Sequence, residues 1–180
     1  MSAPILIDCD GVLSNMTRSV LALAAEHGVF RTPDDVTTWD YANCLGWRNV
    51  YAEIERATRE REFVYRMHPY AGAFAFLRRL EAEHGRDNVL VCTSAFNADW
   101  AQQRLSWLAD FAGVAKERVI ITNRKDLVRG VLLDDAPHHV EGRDRAIVYD
   151  HPYNRDVSGA RARDFAEAEA LIRAAVGGWW

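Results

Sequence analysis

Short apolar runs that alternate with amphipathic segments are the feature that most constrains the fold of this chain. Five such runs occur, at residues 3–7, 89–91, 119–121, 131–133 and 146–149. Each is apolar at successive positions, which is typical of a strand buried on both faces of a sheet. Helical patterns lie between and after them, for example at residues 15–27 and 160–176. The alternation predicts an α/β fold with a parallel five-stranded sheet and helices on both faces.

Polar side chains cluster where the first, second and fourth of these runs end. They are Asp8, Asp10, Thr93, Ser94, Asp134 and Asp135. Ligands of parallel sheets bind at the carboxyl ends of the strands. We therefore expect these residues to share one site, which Lys125 joins from shortly after the third run.

Asp8 and Asp10 lie two positions apart at the predicted end of the first strand. In an extended chain such residues point the same way, so their carboxylates would emerge side by side. Like charges at that spacing repel, and burial adds a desolvation cost. A hard divalent cation held by carboxylate oxygens, most simply Mg²⁺, would offset both. A tight turn is the alternative, because Asp-Gly after a strand is also a hairpin signal.

These residue types suit phosphoryl transfer. Hydroxyl groups, backbone N–H groups and an ammonium group bind phosphate oxygens, and carboxylates bind the metal. One carboxylate close to phosphorus can attack it and form an aspartyl phosphate. A second carboxylate can protonate the departing oxygen and later activate water. The metal would hold nucleophile and phosphate together despite their shared negative charge.

Composition and charge argue against several other classes of protein. The apolar share of 49% and the charged share of 27% are ordinary for a globular domain. A net charge of −4 disfavours a nucleic-acid polymer as partner. No run has the length of a membrane span or a targeting signal, so we expect no membrane partner. Three cysteines without metal-ligand spacing favour a reduced, cytoplasmic protein.

The motifs, in this order, resemble those of the haloacid dehalogenase superfamily of phosphatases. They are residues 5–12, residues 89–94, Lys125 and residues 131–135. The resemblance implies a Rossmann-like core and a role for each matching residue. Asp8 would be the nucleophile and Asp10 the general acid/base. Thr93, Ser94 and Lys125 would bind the phosphate. The metal ligands would be Asp8, Asp10 and Asp135, with Asp134 as a supporting residue or alternative ligand.

Within the superfamily the chain resembles the small 5′(3′)-deoxyribonucleotidases. The likeness rests on residues 10–13, on Phe63 shortly before residues 69–72, and on a helical insertion of matching position. It implies a core of residues 1–14 and 68–180, with the first helix and a small helical cap at residues 15–67. The family dephosphorylates nucleoside monophosphates with Mg²⁺ and stacks cap aromatics on the base. The candidates here are Trp39, Tyr41, Trp47 and Phe63.

Several alternatives stay open at this point. The cap aromatics could instead pack the insertion's own core, and Ser94 could cap the following helix. His138 and His139 follow the fourth motif and could suggest a metal site, but we expect them in a surface loop. The loop at residues 152–154 either borders the site or is a plain turn. The same chemistry could act on another small phosphorylated metabolite, such as a sugar phosphate.

Two other classes fit the sequence less well. A signalling receiver domain places its phosphorylated Asp on a middle strand and lacks a long insertion after the first helix. A dehalogenase does not need the acid at Asp10. We therefore predict a phosphomonoesterase, and since the family often forms dimers, the resemblance also allows a homodimer.

Overall fold

A parallel six-stranded sheet forms the centre of the computed structural model, which describes residues 3–178. The strands follow the order β3-β2-β1-β4-β5-β6 across the sheet. Their bounds are β1 Ile5–Ile7, β2 Val89–Thr93, β3 Val119–Ile121, β4 Val131–Asp134, β5 Ala146–Tyr149 and β6 Ala160–Ala162. Because β1 pairs with both β2 and β4, the residues that follow these three strands are neighbours at one edge of the sheet.

Between residues 3 and 178, seven α-helices cover or extend from this sheet. Their bounds are α1 Met16–Glu26, α2 Tyr41–Leu45, α3 Val50–Arg61, α4 Ala73–His84, α5 Ala98–Trp107, α6 Pro137–Val140 and α7 Phe165–Gly177. Helix α5 continues into one π-helical turn at Leu108–Ala112. Side-chain caps set several starts: Asn15 accepts a hydrogen bond from the backbone of Arg18, and Asn97 accepts one from Trp100.

Most of the buried apolar side chains belong to two large clusters. The larger one joins the sheet to α4 and α7, where Phe76 stacks on Phe165 with ring centroids 4.6 Å apart. The second joins α1, α3 and α5 and includes Val20, Ile54 and Trp100. A smaller group on the sheet contains Leu6, Cys92 and Leu132. The predicted α/β architecture, with helices packed on a buried parallel sheet, is confirmed.

The predicted strand count of five is wrong by one. Strand β6 lies in a segment that the sequence pattern assigned to the start of the last helix. The helix begins only at Phe165, because the side chain of Asp164 accepts a hydrogen bond from the backbone N–H of Glu167. Before that helix, residues 160–162 pair with β5 instead, and the side chain of Arg161 donates hydrogen bonds to Asp150 and Asn154.

Residues 31–67 contain helices α2 and α3 and no strand. Val50 and Ile54 of α3 share the second cluster with Trp100 of α5, so this segment packs over the carboxyl edge of the sheet. The division into a core and a cap at residues 15–67 stays a prediction. The outermost residues assigned to that core, 1–2 and 179–180, lie outside the described part of the chain.

Candidate active site

Asp8 occupies the central position at the carboxyl edge of the sheet. It directly follows β1, and its backbone N–H donates to the carbonyl oxygen of Leu133 on β4 at 2.9 Å. The chain then turns sharply through Gly11, whose φ is +87°. A Cβ at that position would lie 2.2 Å from Oδ2 of Asp135. Glycine is therefore required both for the turn and for the close approach of the two segments.

Lys125 links two carboxylates at this edge. Its Nζ lies 2.7 Å from Oδ1 of Asp8 and 2.6 Å from Oδ2 of Asp134, and all three side chains are buried. Lys125 reaches the edge from a 3₁₀ turn after β3. Arg143 holds that turn by donating to the carbonyl oxygens of Lys125 at 2.6 Å and Val128 at 2.5 Å.

Asp8, Asp134 and Asp135 bring carboxylate oxygens within 4.8 Å of one another. Both oxygens of Asp134 have partners: Oδ1 accepts from the backbone of Ala136, and Oδ2 faces Lys125 and Nδ1 of His139. Asp135 differs. Its Oδ2 accepts from the hydroxyl of Tyr153, while its buried Oδ1 has no hydrogen-bond partner among the described residues. That free oxygen, beside Asp8, fits a hard cation such as Mg²⁺.

The charges at this edge are unbalanced. Burial, and next the charge of Asp134, raise the pKa of Asp8 to about 7 despite the nearby Lys125. Burial, together with Asp8 and Asp134, holds the pKa of Asp135 well above its ordinary value. Burial acts to raise the pKa of Asp134 as well, but Lys125 and His139 bring it below its ordinary value. Three carboxylates around one ammonium group leave a net negative site, and a cation would relieve it.

In the described part of the chain, Asp10 is not among the three carboxylates whose oxygens lie within 4.8 Å of one another, and its placement beside Asp8 stays a prediction. Strand β1 ends at Ile7, Asp10 forms an isolated β-bridge with Ser14, and the chain turns at Gly11. The carboxylate of Asp10 faces the hydroxyl of Ser14, 2.9 Å from Oδ1, and Nη2 of Arg104. Its side chain still lines the cavity described below.

Thr93 is the last residue of β2 and Ser94 follows it; β2 neighbours β1, and both residues line the cavity with Asp8. The hydroxyl of Thr93 makes only a long contact, 3.4 Å, to the carbonyl oxygen of Ser94. Ser94 donates to the carbonyl oxygen of Thr122 at 3.2 Å. The helix that follows is capped by Asn97, which removes the alternative that Ser94 is the cap.

A cavity of about 340 Å³ opens between this edge and the helical insertion. Asp8, Asp10, Lys125 and Asp135 lie in its wall. Of the four aromatic residues singled out in the insertion, the structure brings Trp39 and Tyr41 to the cavity.

Trp47 and Phe63 are not among the cavity-lining residues. Both pack on the second cluster instead, where the ring of Trp47 lies 4.9 Å from that of His27 and the ring of Phe63 lies 6.2 Å from that of Trp100. For these two residues the structure therefore favours the alternative that they pack the insertion's core.

Other cavity residues were not singled out from the sequence as candidates for binding. They are Tyr51, Phe96, Trp100, Asn123, His138 and His139, besides Tyr153. The loop expected at His138 and His139 is wrong, because both residues lie on the short helix α6. The expected surface position is right for His138, which is exposed. Their position shortly after Asp135 was the available signal for the cavity. Tyr153 stacks on His151 and meets the edge of Trp39, so its loop borders the site.

Comparison with known families decides among the enzyme classes that this geometry allows. The model of the family described as "5' nucleotidase, deoxy (Pyrimidine), cytosolic type C protein" matches residues 2–176. The chain belongs to this nucleotidase family. It is accordingly a phosphoric monoester hydrolase of the 5′-nucleotidase type, and the resemblance to the haloacid dehalogenase superfamily is confirmed.

Curated relatives agree with the family. A protein of Bordetella pertussis named "Putative 5'(3')-deoxyribonucleotidase" is 31% identical over 165 residues, which cover 84% of this chain and 86% of that protein. A protein of Bordetella parapertussis with the same name is 30% identical over the same coverage.

Solved structures place this nucleotidase chain in the same fold. CbbY of Rhodobacter sphaeroides, crystallised with phosphate, aligns with a TM-score of 0.56 at 16% identity and covers 96% of this chain and 99% of its own. A haloacid dehalogenase-like hydrolase of Burkholderia xenovorans gives 0.52 at 14% identity, with coverage of 95% and 96%. At these identities the likeness concerns the fold alone.

Within residues 3–178, none of the helices combines the length and apolar character needed to cross a bilayer.

Proposed function

We propose that this nucleotidase is a Mg²⁺-dependent phosphomonoesterase that dephosphorylates (deoxy)nucleoside monophosphates through an aspartyl phosphate on Asp8. The observation that carries the proposal is the convergence of Asp8, Lys125 and Asp135 on one cavity that aromatic side chains also line. Phosphate chemistry and a flat base would meet in the same space of about 340 Å³.

The phosphate group would lie above Asp8. Lys125 supplies an ammonium group already within 2.7 Å of the Asp8 carboxylate, so it can contact a phosphoryl oxygen while it orients the nucleophile. The hydroxyl groups of Thr93 and Ser94 border the same space and would donate to the remaining oxygens. Neither Thr93 nor Ser94 makes a short hydrogen bond that would have to be broken.

Asp8 and Asp135 would hold the metal, with Oδ1 of Asp135 as the free ligand atom. Both oxygens of Asp134 already accept hydrogen bonds, so Asp134 would position Lys125 and the backbone of Ala136 rather than bind the metal directly. When bound, Mg²⁺ would neutralise the charge that nucleophile and phosphate share. Asp10 is absent from the group of close carboxylates, so the proposal gives its side chain a role in proton transfer and none in metal binding.

The proposed reaction has two steps, formation of the aspartyl phosphate and its hydrolysis. Oδ of Asp8 bonds to phosphorus as the bond to the ester oxygen breaks, and protonated Asp10 gives its proton to the departing alkoxide. Water then attacks the phosphorus of the aspartyl phosphate while ionised Asp10 takes a proton from it. The bond to Asp8 breaks, phosphate leaves, and both carboxyl groups return to their starting states.

The base would lie against the aromatic wall. Trp39 and Tyr41 come from the insertion, and Tyr51 and Phe96 line the same space. Trp39 is half-exposed, and its ring meets the edges of Tyr153 and His138 at 5.4 Å and 5.5 Å. An apolar, aromatic surface of this kind favours a nucleobase over a bare sugar.

A substrate panel tests the proposal. Phosphate release is measured with Mg²⁺ for purine and pyrimidine nucleoside monophosphates, in ribo and deoxy forms, and for sugar phosphates. We expect the highest kcat/KM with a nucleoside monophosphate. A strong preference for a sugar phosphate would instead assign the same chemistry to another small metabolite.

The cytoplasmic location and the homodimer expected from the sequence remain part of this proposal. Cys9, Cys44 and Cys92 form no disulfide, and Cys9 and Cys92 are buried, which suits a reducing compartment. Size-exclusion chromatography with light scattering at micromolar concentration would test the dimer.

A further inference from the structure

Arg104 is a fully buried arginine on a helix face that is otherwise aromatic. It lies on α5 between Trp100 and Trp107, and all three side chains are buried. The guanidinium carbon stands 5.1 Å from the centre of the Trp107 ring, a cation–π arrangement. Burial of a charge is costly unless it is paired, and an apolar side chain would fill this position more cheaply. Its partner therefore indicates why an arginine is here.

That partner is Asp10. Nη2 of Arg104 contacts Oδ1 of Asp10 as an ion pair, while Nε and Nη1 have no hydrogen-bond partner among the described residues. The other hydrogen-bond contact of Nη2 in the described part of the chain is with Sδ of Met67, at 3.3 Å. Arg104 lies outside the lining of the cavity, so the contact acts through Asp10.

The same oxygen of Asp10 is held from a second side. Ser14, also fully buried, donates its hydroxyl to Oδ1 at 2.9 Å. None of the hydrogen bonds among residues 3–178 involves Oδ2, and Asp10 lines the cavity. The two anchors thus fix the orientation of the carboxyl group and leave one oxygen for the reaction.

We propose that Arg104 is a positioning residue, which together with Ser14 holds Asp10 so that Oδ2 carries the proton to and from the reacting oxygen. This inference rests on the proposed function, in which Asp10 is the acid and base. The step it affects is the protonation of the leaving alkoxide as the bond from phosphorus to the ester oxygen breaks. The proton moves from Oδ2, which is left ionised.

The dependence of kcat/KM on the leaving group distinguishes a residue that positions the acid from a residue that only supports the fold. An alkyl phosphate such as a nucleoside monophosphate needs a proton on its leaving oxygen, whereas p-nitrophenolate leaves without one. The ratio of kcat/KM for p-nitrophenyl phosphate to kcat/KM for the nucleotide reports only steps up to departure of that group. A general loss of folding or of phosphate binding lowers both values and leaves the ratio unchanged.

Three variants carry the test. Arg104→Met removes the charge and keeps the length of the side chain, and Ser14→Ala removes only the second anchor. The matched control is Arg118→Met, because Arg118 is also buried and pairs with Glu81 outside the cavity lining. Thermal melts show which variants are folded.

We expect the ratio to rise at least about 10-fold in Arg104→Met and by a smaller factor in Ser14→Ala, with no change in Arg118→Met. A folded Arg104→Met variant with the wild-type ratio would overturn the inference. If Arg104→Met does not fold, Ser14→Ala decides: a raised ratio supports the inference and a wild-type ratio rejects it. Failure of the proposed function looks different, since the wild-type protein would then prefer a sugar phosphate to the nucleotide in the substrate panel, or release phosphate from neither compound.

Discussion

Nζ of Lys125 lies 2.7 Å from Oδ1 of Asp8, so the nucleophile proposed here is oriented by a buried cation before any substrate binds. The same Nζ also contacts Asp134, which ties the ends of β1 and β4 to the turn after β3. Three chain segments that are distant in sequence therefore depend on one ammonium group. The following predictions test the roles that this arrangement assigns.

Asp8→Asn should lower phosphate release more than about 1,000-fold, because an amide cannot form the aspartyl phosphate. The fold should persist, since Lys125 keeps its contact with Asp134. Phosphate release and thermal melts check both parts. The control is Asp126→Asn, at an exposed carboxylate paired with Arg124. Turnover like that of the wild type in Asp8→Asn would remove this residue as the nucleophile.

Mg²⁺ should stabilise the protein without substrate, because a ligand that binds only the folded state shifts unfolding by mass action. At a concentration of about 100 times Kd the gain is about 2.7 kcal/mol, or a rise in Tm of about 5–10 °C for a domain of this size. Asp135→Asn should lose most of this rise, since it replaces the free Oδ1. Melts with and without Mg²⁺, and with the chelator EDTA as control, measure it. An equal rise in Asp135→Asn would exclude Asp135 as a ligand.

Gly11→Ala should destabilise the protein by more than about 2 kcal/mol. Its φ of +87° is unfavourable for alanine, and the new Cβ would lie 2.2 Å from Oδ2 of Asp135. Denaturant unfolding measures the change. Gly142→Ala is the matched control, because its φ is also positive, at 67°, while a Cβ there meets nothing within 4 Å. Equal losses in the two variants would show that contact with Asp135 is unimportant.

Trp39→Ala should raise KM for nucleoside monophosphates about 5- to 100-fold, because one stacking contact with a base is worth about 1–3 kcal/mol. KM for a small phosphomonoester without a base should change little. Trp47→Ala is the control, since Trp47 packs near His27 and is not among the cavity-lining residues. Steady-state kinetics compare the two substrates. A rise of the same size in KM for both would argue against stacking on Trp39.

The sequence predicted the carboxyl edge of the sheet well because buried apolar runs locate the strands, and in a parallel sheet all their carboxyl ends lie at the same edge. Asp8, Lys125 and Asp134 each stand directly or shortly after such a run, so the topology alone brings them together. The assignment of the metal contact to Asp135, with Asp134 as a supporting residue, stays a prediction, which the free Oδ1 of Asp135 supports.

What the sequence did not predict depends on side-chain direction and on long-range packing. Ser14 and Arg104 contact the carboxylate of Asp10, and neither partner follows from the period of an extended strand. The position of Arg104 four residues after Trp100 put it on the aromatic face of α5, yet nothing local identified Asp10 as its partner. Short loops that return to the site, such as the one with Tyr153, carry no periodic signal.

The proposed mechanism requires that a carboxylate oxygen of Asp8 attacks phosphorus and that Asp8 and Asp135 bind the same metal ion. A crystal structure of the protein soaked with Mg²⁺ and beryllium fluoride, a mimic of a bound phosphoryl group, tests it most directly. We expect the beryllium on a carboxylate oxygen of Asp8, the fluorides facing Lys125 and Thr93, and Mg²⁺ in contact with both Asp8 and Asp135. Beryllium fluoride bound to another residue, or a metal that does not contact Asp135, would contradict the account.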